Sequence, residues 1–379
     1  MLNCRDFVHI LSTKGVNFYT GVPDSLLKDF CAYILDNVDA SYHIIAANEG
    51  NAVALAVGHY LASGAIPLVY MQNSGLGNSI NPLVSLVDAE VYRIPILLLI
   101  GWRGEPGTKD KPQHIKQGKV TLGLLDTLGI PYRILPAEIK AAEVILEELF
   151  NFMHKNSTPA AVVVRRGIFE TYASQKKECK PISLILSREE AIKIIINHIL
   201  PSDIIISTTG HISRELFEYR RHLRQGHNRD FLTAGSMGHS SQIALGIALE
   251  KPDRRVYCLD GDGAVIMHMG ALATIGVSSP ANFMHIVLNN GCHDSVGGQP
   301  TAGFKIDFVS IAKACGYRTS LRVSTAEELT AVLKGLQKDK GPHFLEVAVK
   351  KGARKDLGRP DIPLQESKQE FMKFLKDNG

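Results

Sequence analysis

The sequence predicts an α/β protein with two doubly wound, parallel-sheet domains. Short apolar and β-branched runs alternate with stretches of helical periodicity along the whole chain. Such alternation is typical of βαβ units, in which helices cover both faces of a parallel sheet. The length of 379 residues is enough for two domains of about 150–200 residues each.

The first half of the chain contains five short apolar runs that predict strands. They are Val16–Tyr19, His43–Ala46, Pro67–Met71, Ile96–Ile100 and Ala160–Val164. Helical periodicity between them predicts helices over residues 25–36, 50–63, 79–90, 115–128 and 137–154. The chain then becomes polar, and we expect a linker at 171–186 between domains 1–170 and 187–379.

The same alternation returns in the second half of the chain. Strands are predicted at Ile204–Ser207, Arg255–Leu259, Met284–Asn289 and Phe344–Val349. Helices are predicted from Arg188 onward and over residues 212–225, 239–250, 264–277 and 307–315. Because ligands in such sheets bind beyond the carboxyl ends of the strands, the loops that follow the strands are where a site is expected.

Composition argues against several classes of protein. A net charge of +4 is too small to indicate a nucleic-acid partner. The sequence has no run of 18 apolar residues, and its N-terminus lacks the apolar core of a signal peptide. The six cysteines are scattered without a C-x-x-C pair, which favours reduced thiols and no zinc site. We therefore expect a cytoplasmic protein with no membrane or nucleic-acid partner.

A glycine–aspartate–glycine turn follows the strand predicted at 255–259. In the stretch LDGDGAVIMHMG, Gly261, Asp262 and Gly263 join that strand to a helical pattern. Backbone N–H groups at the start of a helix form a natural anion site. A carboxylate beside a bound phosphate requires a cation between them, and Mg²⁺ binds both kinds of oxygen. The alternative is a plain tight turn.

Two asparagines occupy the equivalent position after the next strand. Asn289 and Asn290 follow Gly263 by about 25 residues, a span that fits one helix and one strand. The carboxyl ends of neighbouring strands lie side by side, so Asp262 and the asparagines are expected close together. An asparagine carbonyl is a suitable neutral ligand for Mg²⁺.

The combination of GDG and the later Asn-Asn pair resembles the signature of thiamine-diphosphate enzymes. The resemblance implies the thiamine-diphosphate-binding fold, with a pyrimidine-binding domain at 1–170 and a diphosphate-binding domain at 187–379. It implies Mg²⁺ bound by Asp262, the Asn290 side chain and the Cys292 carbonyl, with Asn289 as the alternative to Asn290. The backbone N–H groups assigned to the diphosphate are those of Gly261, Gly263 and Ala264.

Other motifs carry the same resemblance to the thiamine-diphosphate family. HIIAANEG implies that Glu49 hydrogen-bonds the pyrimidine ring and activates thiamine diphosphate; an acid that merely favours a helix N-terminus is the alternative. GSMG implies that Met237 supports the cofactor and that the Gly235 carbonyl accepts from its amino group. The stretch STTGHIS implies further residues near the diphosphate, namely Thr209, Gly210 and His211.

Four longer stretches narrow the resemblance further. GVPDSLLKDF, MQNSGLGNSINPL, GWRGEPGTKDKPQH and NNGCHDSVGGQPT resemble the family of decarboxylases that act on phosphonopyruvate and sulfopyruvate. The resemblance implies decarboxylation of an anionic 2-oxo acid, with 3-phosphonopyruvate in phosphonate biosynthesis as the first expectation and sulfopyruvate as the alternative. Asp24 or His114 is the expected acid. The expected substrate-binding residues are Ser25, Arg103, Lys109, His114 and His293.

The resemblance also implies a homo-oligomer, at least a dimer, in which Glu49 and Asp262 of one site come from different chains. Two other activities remain as alternatives. One is a carboligase, and the other is a non-catalytic nucleotide-binding or regulatory protein. The Gly75-Leu76-Gly77 stretch resembles the start of a dinucleotide loop, but position 80 is isoleucine where that fingerprint requires glycine.

Overall fold

The computed structural model describes residues 1–174 and 184–377. The chain divides into two compact units, Met1–Glu178 and Cys179–Gly379. The linker predicted at 171–186 falls largely on residues 175–183, outside the described residues, so the predicted domain bounds remain predictions. Within the two described ranges, no helix combines the length and apolar character needed to cross a bilayer.

The first unit contains a six-stranded parallel sheet in the order β2-β1-β3-β4-β6-β5. Its strands are β1 (Tyr19–Gly21), β2 (His43–Ile45), β3 (Leu68–Gln72), β4 (Leu97–Gly101), β5 (Tyr132–Ile134) and β6 (Ala160–Val164). Its helices are α1 (Cys4–Thr13), α2 (Lys28–Asn37), α3 (Glu49–Ser63), α4 (Leu76–Ser85), α5 (Pro112–Thr127) and α6 (Ile139–Asn156).

The second unit repeats this architecture with the strand order β11-β12-β10-β9-β7-β8, also parallel. Its strands are β7 (Ile204–Ser207), β8 (Asp230–Leu232), β9 (Val256–Gly261), β10 (Phe283–Asn289), β11 (Thr319–Val323) and β12 (His343–Ala348). Its helices are α7 (Arg188–His198), α8 (His211–His222), α9 (Ser240–Glu250), α10 (Asp262–Met267), α11 (Ala271–Ser278), α12 (Phe308–Ala314), α13 (Ala326–Leu336) and α14 (Leu364–Asp377).

Each sheet is buried on both faces. In β4, Leu97 and Leu99 pack into one apolar cluster, whereas Leu98 and Ile100 pack into another on the opposite face. Successive side chains of a strand point to opposite faces, so a strand covered on both sides reads as a continuous apolar run. The central strands could therefore be predicted from the sequence, and the predicted fold class is confirmed.

The prediction of one helix over 264–277 is wrong, because the structure contains two. The chain leaves α10 at His268, and α11 begins at Ala271 after Gly270. A Cβ at Gly238 would lie 2.6 Å from His268 Cδ2, so this ring packs closely against the backbone of a neighbouring segment. The break therefore coincides with a tertiary contact that helical periodicity does not record.

Candidate active site

A pocket lies at the carboxyl ends of β7, β9 and β10 in the second unit. The structure brings most of the predicted cofactor and metal residues into its lining. These residues are Thr209, His211, Met237, Gly261, Asp262, Gly263, Ala264, Asn290, Cys292 and His293. Two other predicted residues lie outside this lining: Gly210, which faces Ser295, and Gly235.

Asp262 is the buried acid of this pocket. It begins α10 directly after β9, whose last residue, Gly261, pairs with Leu288 of β10. Its carboxylate accepts hydrogen bonds from the hydroxyl of Thr301 and from the backbone N–H of Asn290. Burial nevertheless raises the pKa of Asp262 to about 6. A divalent cation at this carboxylate would therefore compensate a charge that its surroundings disfavour.

The structure separates the two asparagines that the sequence left as alternatives. Asn290 and Cys292 line the pocket, with the backbone N–H of Cys292 donating to Asn290 Oδ1 at 3.1 Å. Asn289 is fully buried, and its Nδ2 donates to the Gly303 carbonyl and to Glu346 Oε1, both at 2.8 Å. What separates the two residues is that Asn290 belongs to the pocket lining, whereas Asn289 does not.

The remaining polar groups of the lining suit an anionic ligand. Thr208 follows β7, and its buried Oγ1 has no hydrogen-bond partner in the part of the chain that the structure describes. A buried hydroxyl without a partner costs free energy unless a ligand or water satisfies it. His293 lies opposite the α10 start, and burial lowers the pKa of this imidazole to about 4. Hydroxyl and backbone N–H groups can donate hydrogen bonds to a diphosphate, and the buried carboxylate can bind a divalent cation beside it.

Sequence reasoning gave no role to several residues at this pocket. Arg188, Thr208, Asp294 and Ser295 all belong to the lining. Asp294 and Ser295 stand inside the motif NNGCHDSVGGQPT, so their nearness to Asn290 was the available signal. Arg188 lies about a hundred residues earlier at the start of α7, and no local pattern connects it with the pocket.

A second polar cluster lies beneath the glycine turn. Potential ligand atoms of Cys258, Asp260 and His285, all buried, lie within 4.8 Å of one another. Asp260 Oδ1 accepts the Gly261 N–H at 3.0 Å, and its Oδ2 lies 3.4 Å from His285 Nε2. Cys258 and His285 are register partners on neighbouring strands. The cluster therefore supports the turn from within the sheet, and no spacing in the sequence indicated it.

Glu49 lies at the corresponding edge of the first unit. It begins α3 after β2, is 5% exposed, and accepts a hydrogen bond from Asn78 Nδ2 at 2.7 Å. Burial raises the pKa of Glu49, although the Asn78 hydrogen bond opposes the change. The helix cap is Asn48, whose side chain accepts the N–H of Asn51. Glu49 is therefore a buried carboxyl with its own partner.

Asp24 lies at the same edge, after β1. It is fully buried; Gln72 Nε2 donates to Oδ1 at 2.6 Å and the Leu26 N–H donates to Oδ2 at 3.0 Å. Burial raises the pKa of Asp24, against the opposing effects of these hydrogen bonds and of Arg103. The hydrogen bond from the Leu26 N–H to Asp24 Oδ2 closes a turn just before α2. Asp24 is thus both a buried acid and a residue of the turn before α2.

The other predicted substrate residues of the first unit have mixed surroundings. Arg103 forms two hydrogen bonds with Asp110, at 2.8 and 2.6 Å, and its Nη1 donates to Ser25 Oγ at 2.8 Å. Burial and the nearby Arg103 lower the pKa of His114 to about 4, so this ring is neutral near pH 7. Lys109 is exposed. Arg103 and Ser25 are brought together, but Asp110 already compensates the arginine charge.

The fold and these sites define a thiamine-diphosphate enzyme. Residues 4–122 match the thiamine pyrophosphate enzyme N-terminal TPP binding domain, and residues 208–347 match the C-terminal TPP binding domain of the same enzymes. The two matches fall in the first and second unit respectively.

Relatives of known activity match along the whole chain. The phosphonopyruvate decarboxylase of Streptomyces hygroscopicus is 31% identical over 390 residues, covering 100% of this chain and 95% of the relative. That of Streptomyces viridochromogenes is 33% identical over 397 residues, covering 99% and 95%. The sulfopyruvate decarboxylase of Methanosarcina acetivorans is 27% identical over 391 residues, covering 98% and 96%. The chain belongs to this family of thiamine-diphosphate-dependent decarboxylases and is a carboxy-lyase.

Proposed function

We propose that this decarboxylase converts 3-phosphonopyruvate to phosphonoacetaldehyde and CO₂ in phosphonate biosynthesis, with Mg²⁺ as the metal. The observation that carries the proposal is the full-length match, at 31% and 33% identity, to relatives named phosphonopyruvate decarboxylase. Sulfopyruvate is the second candidate substrate, because the full-length sulfopyruvate decarboxylase relative is 27% identical. Both substrates are 2-oxo acids with a second anionic group, so the same chemistry serves either.

The proposed metal ligands are the Asp262 carboxylate, the Asn290 side-chain oxygen and the Cys292 carbonyl. All three residues line one pocket, and the buried Asp262 gains most from a nearby cation. Oxygen ligands of these three kinds are the ones that Mg²⁺ selects. The backbone N–H groups of Gly261, Gly263 and Ala264 and the hydroxyl of Thr208 would donate to the diphosphate. The other proposed cofactor contacts are Thr209, Gly210, His211, Gly235 and Met237.

Bound thiamine diphosphate supplies the nucleophilic carbon and accepts the electrons released as CO₂ leaves. The role proposed for Glu49 is to hold a proton at its carboxyl group and donate it in a hydrogen bond to the pyrimidine ring. Its burial favours the protonated form that such a role requires. Asp24 is the better supported of the two proposed acids, since burial raises its pKa and so favours its protonated form, whereas the His114 ring is neutral near pH 7.

The substrate contacts proposed here are Ser25, Arg103, Lys109, His114 and His293. Ser25 and Arg103 are hydrogen-bonded to each other, and their remaining donors suit a carboxylate or phosphonate oxygen. The neutral rings of His114 and His293 would bind as hydrogen-bonding groups and not as cations. Lys109 is exposed, and among the described residues no carboxylate forms a salt bridge with it.

We also propose a homo-oligomer, at least a dimer, in which Glu49 of one chain serves a site with Asp262 of another. The helix that begins at Glu49 carries apolar side chains that remain exposed in the single chain, including Leu55 at 37% and Leu61 at 71%. Ile44, on the preceding strand, is 37% exposed and lines the same groove as Leu55. Apolar exposure next to a catalytic acid is the pattern expected of a surface that a second copy covers.

The test is CO₂ release from phosphonopyruvate, sulfopyruvate and pyruvate, with and without thiamine diphosphate and Mg²⁺. We expect the highest kcat/KM with phosphonopyruvate and none of the three activities without the cofactor. A higher kcat/KM with sulfopyruvate would identify sulfopyruvate, and not phosphonopyruvate, as the preferred substrate. Glu49→Gln is the matched variant: activity equal to that of the unchanged enzyme would contradict the role proposed for this carboxyl.

A further inference from the structure

The two asparagines after β10 each donate an amide hydrogen bond to a different carboxylate. Asn289 Nδ2 donates to Glu346 Oε1 at 2.8 Å, and Asn290 Nδ2 donates to Asp294 Oδ2 at 2.7 Å. Of the two asparagines, only Asn290 lines the pocket. The end of β10 and the residue after it therefore form two similar Asn–carboxylate pairs, one in the pocket lining and one outside it.

We propose that Asp294 is a positioning residue for the metal: it fixes the amide of Asn290 so that Oδ1 is the end offered to the cation. The inference rests on the Mg²⁺ site proposed above and adds a residue to it. A carboxylate can only accept hydrogen bonds, so the atom facing Asp294 must be the amino nitrogen. At the other end, the Cys292 N–H can only donate, so the atom it meets must be Oδ1.

Asp294 also holds the residue that supplies the proposed carbonyl ligand. The thiol of Cys292 donates to Asp294 Oδ1 at 3.1 Å, while Asp294 Oδ2 binds Asn290. The two oxygens of one carboxylate thus hold the side chains of both proposed ligands in this segment. An amide in place of this carboxylate has a single acceptor oxygen, so it would lose at least one of these two contacts together with the charge that Arg188 pairs with, and its effect should exceed that of one lost neutral hydrogen bond.

The carboxylate is itself held by groups from distant parts of the chain. Arg188 Nη1 donates to Asp294 Oδ2 at 2.9 Å, and the Gly352 N–H donates to the same oxygen at 3.0 Å. Arg188 is bound in turn by both oxygens of Glu215, at 2.9 and 2.8 Å. The three charged side chains are 4%, 11% and 2% exposed, so solvent screens these contacts little. The start of α7, the middle of α8 and the segment after β12 therefore converge on Asp294.

The network acts on a cation through the orientation of its ligands. Asp294 and Glu215 share one arginine, Arg188, while the Lys351 cation acts on the neighbouring Cys292 thiol. The negative charge that Arg188 leaves uncompensated is thus opposed by Lys351, and the contribution of the network to metal binding is to orient the proposed ligands.

The test compares Asp294→Asn with its matched control Glu346→Gln, which alters the same type of contact at Asn289. Equilibrium dialysis measures thiamine diphosphate bound as the Mg²⁺ concentration is varied, without substrate. We expect Asp294→Asn to raise the half-saturating Mg²⁺ concentration by about tenfold or more, the range typical of residues that orient metal ligands. We expect Glu346→Gln to leave that concentration within about twofold while lowering the melting temperature, since Asn289 and Glu346 are buried and do not belong to the pocket lining.

Glu215→Gln is the second variant in case Asp294→Asn does not fold. It loosens Arg188 without touching Asn290, so a smaller increase of the Mg²⁺ requirement is expected. An unchanged requirement in Asp294→Asn, or in Glu215→Gln if that variant must serve, would overturn the inference. An equal increase in Glu346→Gln would overturn it too, by assigning the metal to Asn289. Asp262→Asn separates the two proposals: if it keeps the normal Mg²⁺ requirement, the metal site itself is wrong.

Discussion

The carboxylate of Glu49 occupies the space that a side chain at position 75 would need. A Cβ built on Gly75 would lie 2.5 Å from both Oε1 and Cγ of Glu49, closer than real Cβ contacts. Asn78, one turn further along α4, donates to the other carboxylate oxygen. The Glu49 carboxyl group therefore fits at the start of α4 because Gly75 has no side chain there and Asn78 donates a hydrogen bond to it.

The first prediction follows from this contact. Gly75→Ala should displace the Glu49 carboxyl and lower kcat for decarboxylation by about 100-fold, because a shift near 1 Å in a catalytic group has effects of that order. Steady-state assays at saturating cofactor measure the effect. The matched control is Gly77→Ala in the same helix, where a Cβ would meet no atom within 4 Å. Equal activity losses in the two variants would contradict the explanation.

The second prediction concerns the pH dependence of stability without cofactor. The pKa of Glu49 is raised above 4.5, its ordinary value, so the folded state binds the proton more tightly than the unfolded chain. The free energy of unfolding should then fall as pH rises from about 4.5 through the folded pKa. Glu49→Gln lacks this dependence and keeps an acceptor for Asn78, so it should gain stability relative to the unchanged protein between pH 4 and pH 7, measured by urea denaturation.

The control variant, Glu147→Gln, should change stability with pH in the opposite direction. Glu147 is ion-paired with Lys14, and the pKa of its carboxyl is lowered. The stability that the unchanged protein gains from this group grows as pH rises toward 4.5 and is complete above it, so Glu147→Gln should lose stability relative to it as pH rises to about 4.5, with parallel curves above that pH. Because Glu147 is exposed, the effect should be small. If the free energies of unfolding of the unchanged protein and of Glu49→Gln vary in parallel with pH, then burial does not raise the pKa of Glu49.

The pocket of the second unit was largely predictable because its parts follow adjacent strands. One helix joins β9 to the next strand in a βαβ unit, so GDG and the asparagines had to meet at one edge. The choice between Asn289 and Asn290 was not predictable, since neighbouring residues at a strand end point to opposite sides. In the structure Asn290 belongs to the pocket lining, whereas the Asn289 amide donates to Gly303 and Glu346 outside it.

Contacts between distant segments were beyond local patterns. Arg188 reaches Asp294 across about a hundred residues, and nothing in the periodicity of α7 indicates that its first residue faces a pocket. The short strands β5, β8 and β11 were also missed. Strand β11 contains three polar residues that are partly or fully exposed. The strands β5, β8 and β11 each lie at an edge of their sheet, where an apolar run is not required.

The third prediction links the proposed metal to the cost of burying Asp262. Burial raises the pKa of this carboxyl from 3.8 to about 6, so its ionised form destabilises the folded protein at pH 7.5 by up to about 3 kcal/mol. With the metal removed by EDTA, Asp262→Asn should therefore be more stable than the unchanged protein at pH 7.5. The difference should shrink at pH 5, where the unchanged carboxyl is largely protonated.

Thiamine diphosphate and Mg²⁺ should not stabilise the Asp262→Asn variant. Thiamine diphosphate with Mg²⁺ should raise the melting temperature of the unchanged protein, because a ligand that binds only the folded state stabilises it. Asp262→Asn should show little increase, and EDTA should abolish the increase in the unchanged protein. A ligand-induced increase that survives both the substitution and the chelator would rule out a metal bridge at Asp262.

The fourth prediction contrasts two neighbouring arginines of α8. Arg220 binds Asp230 through two hydrogen bonds of 2.9 Å, and both side chains are fully buried. Asp230→Asn leaves a buried guanidinium without its counter-charge, so the free energy of unfolding should fall by about 3–5 kcal/mol. Arg221 pairs with Asp361 in solvent, with side chains 58% and 63% exposed, so Asp361→Asn should scarcely change the melting temperature. Because β8 is an edge strand attached to α8 by this pair, loss of stability comparable in both variants would mean that the buried ion pair does not secure the strand.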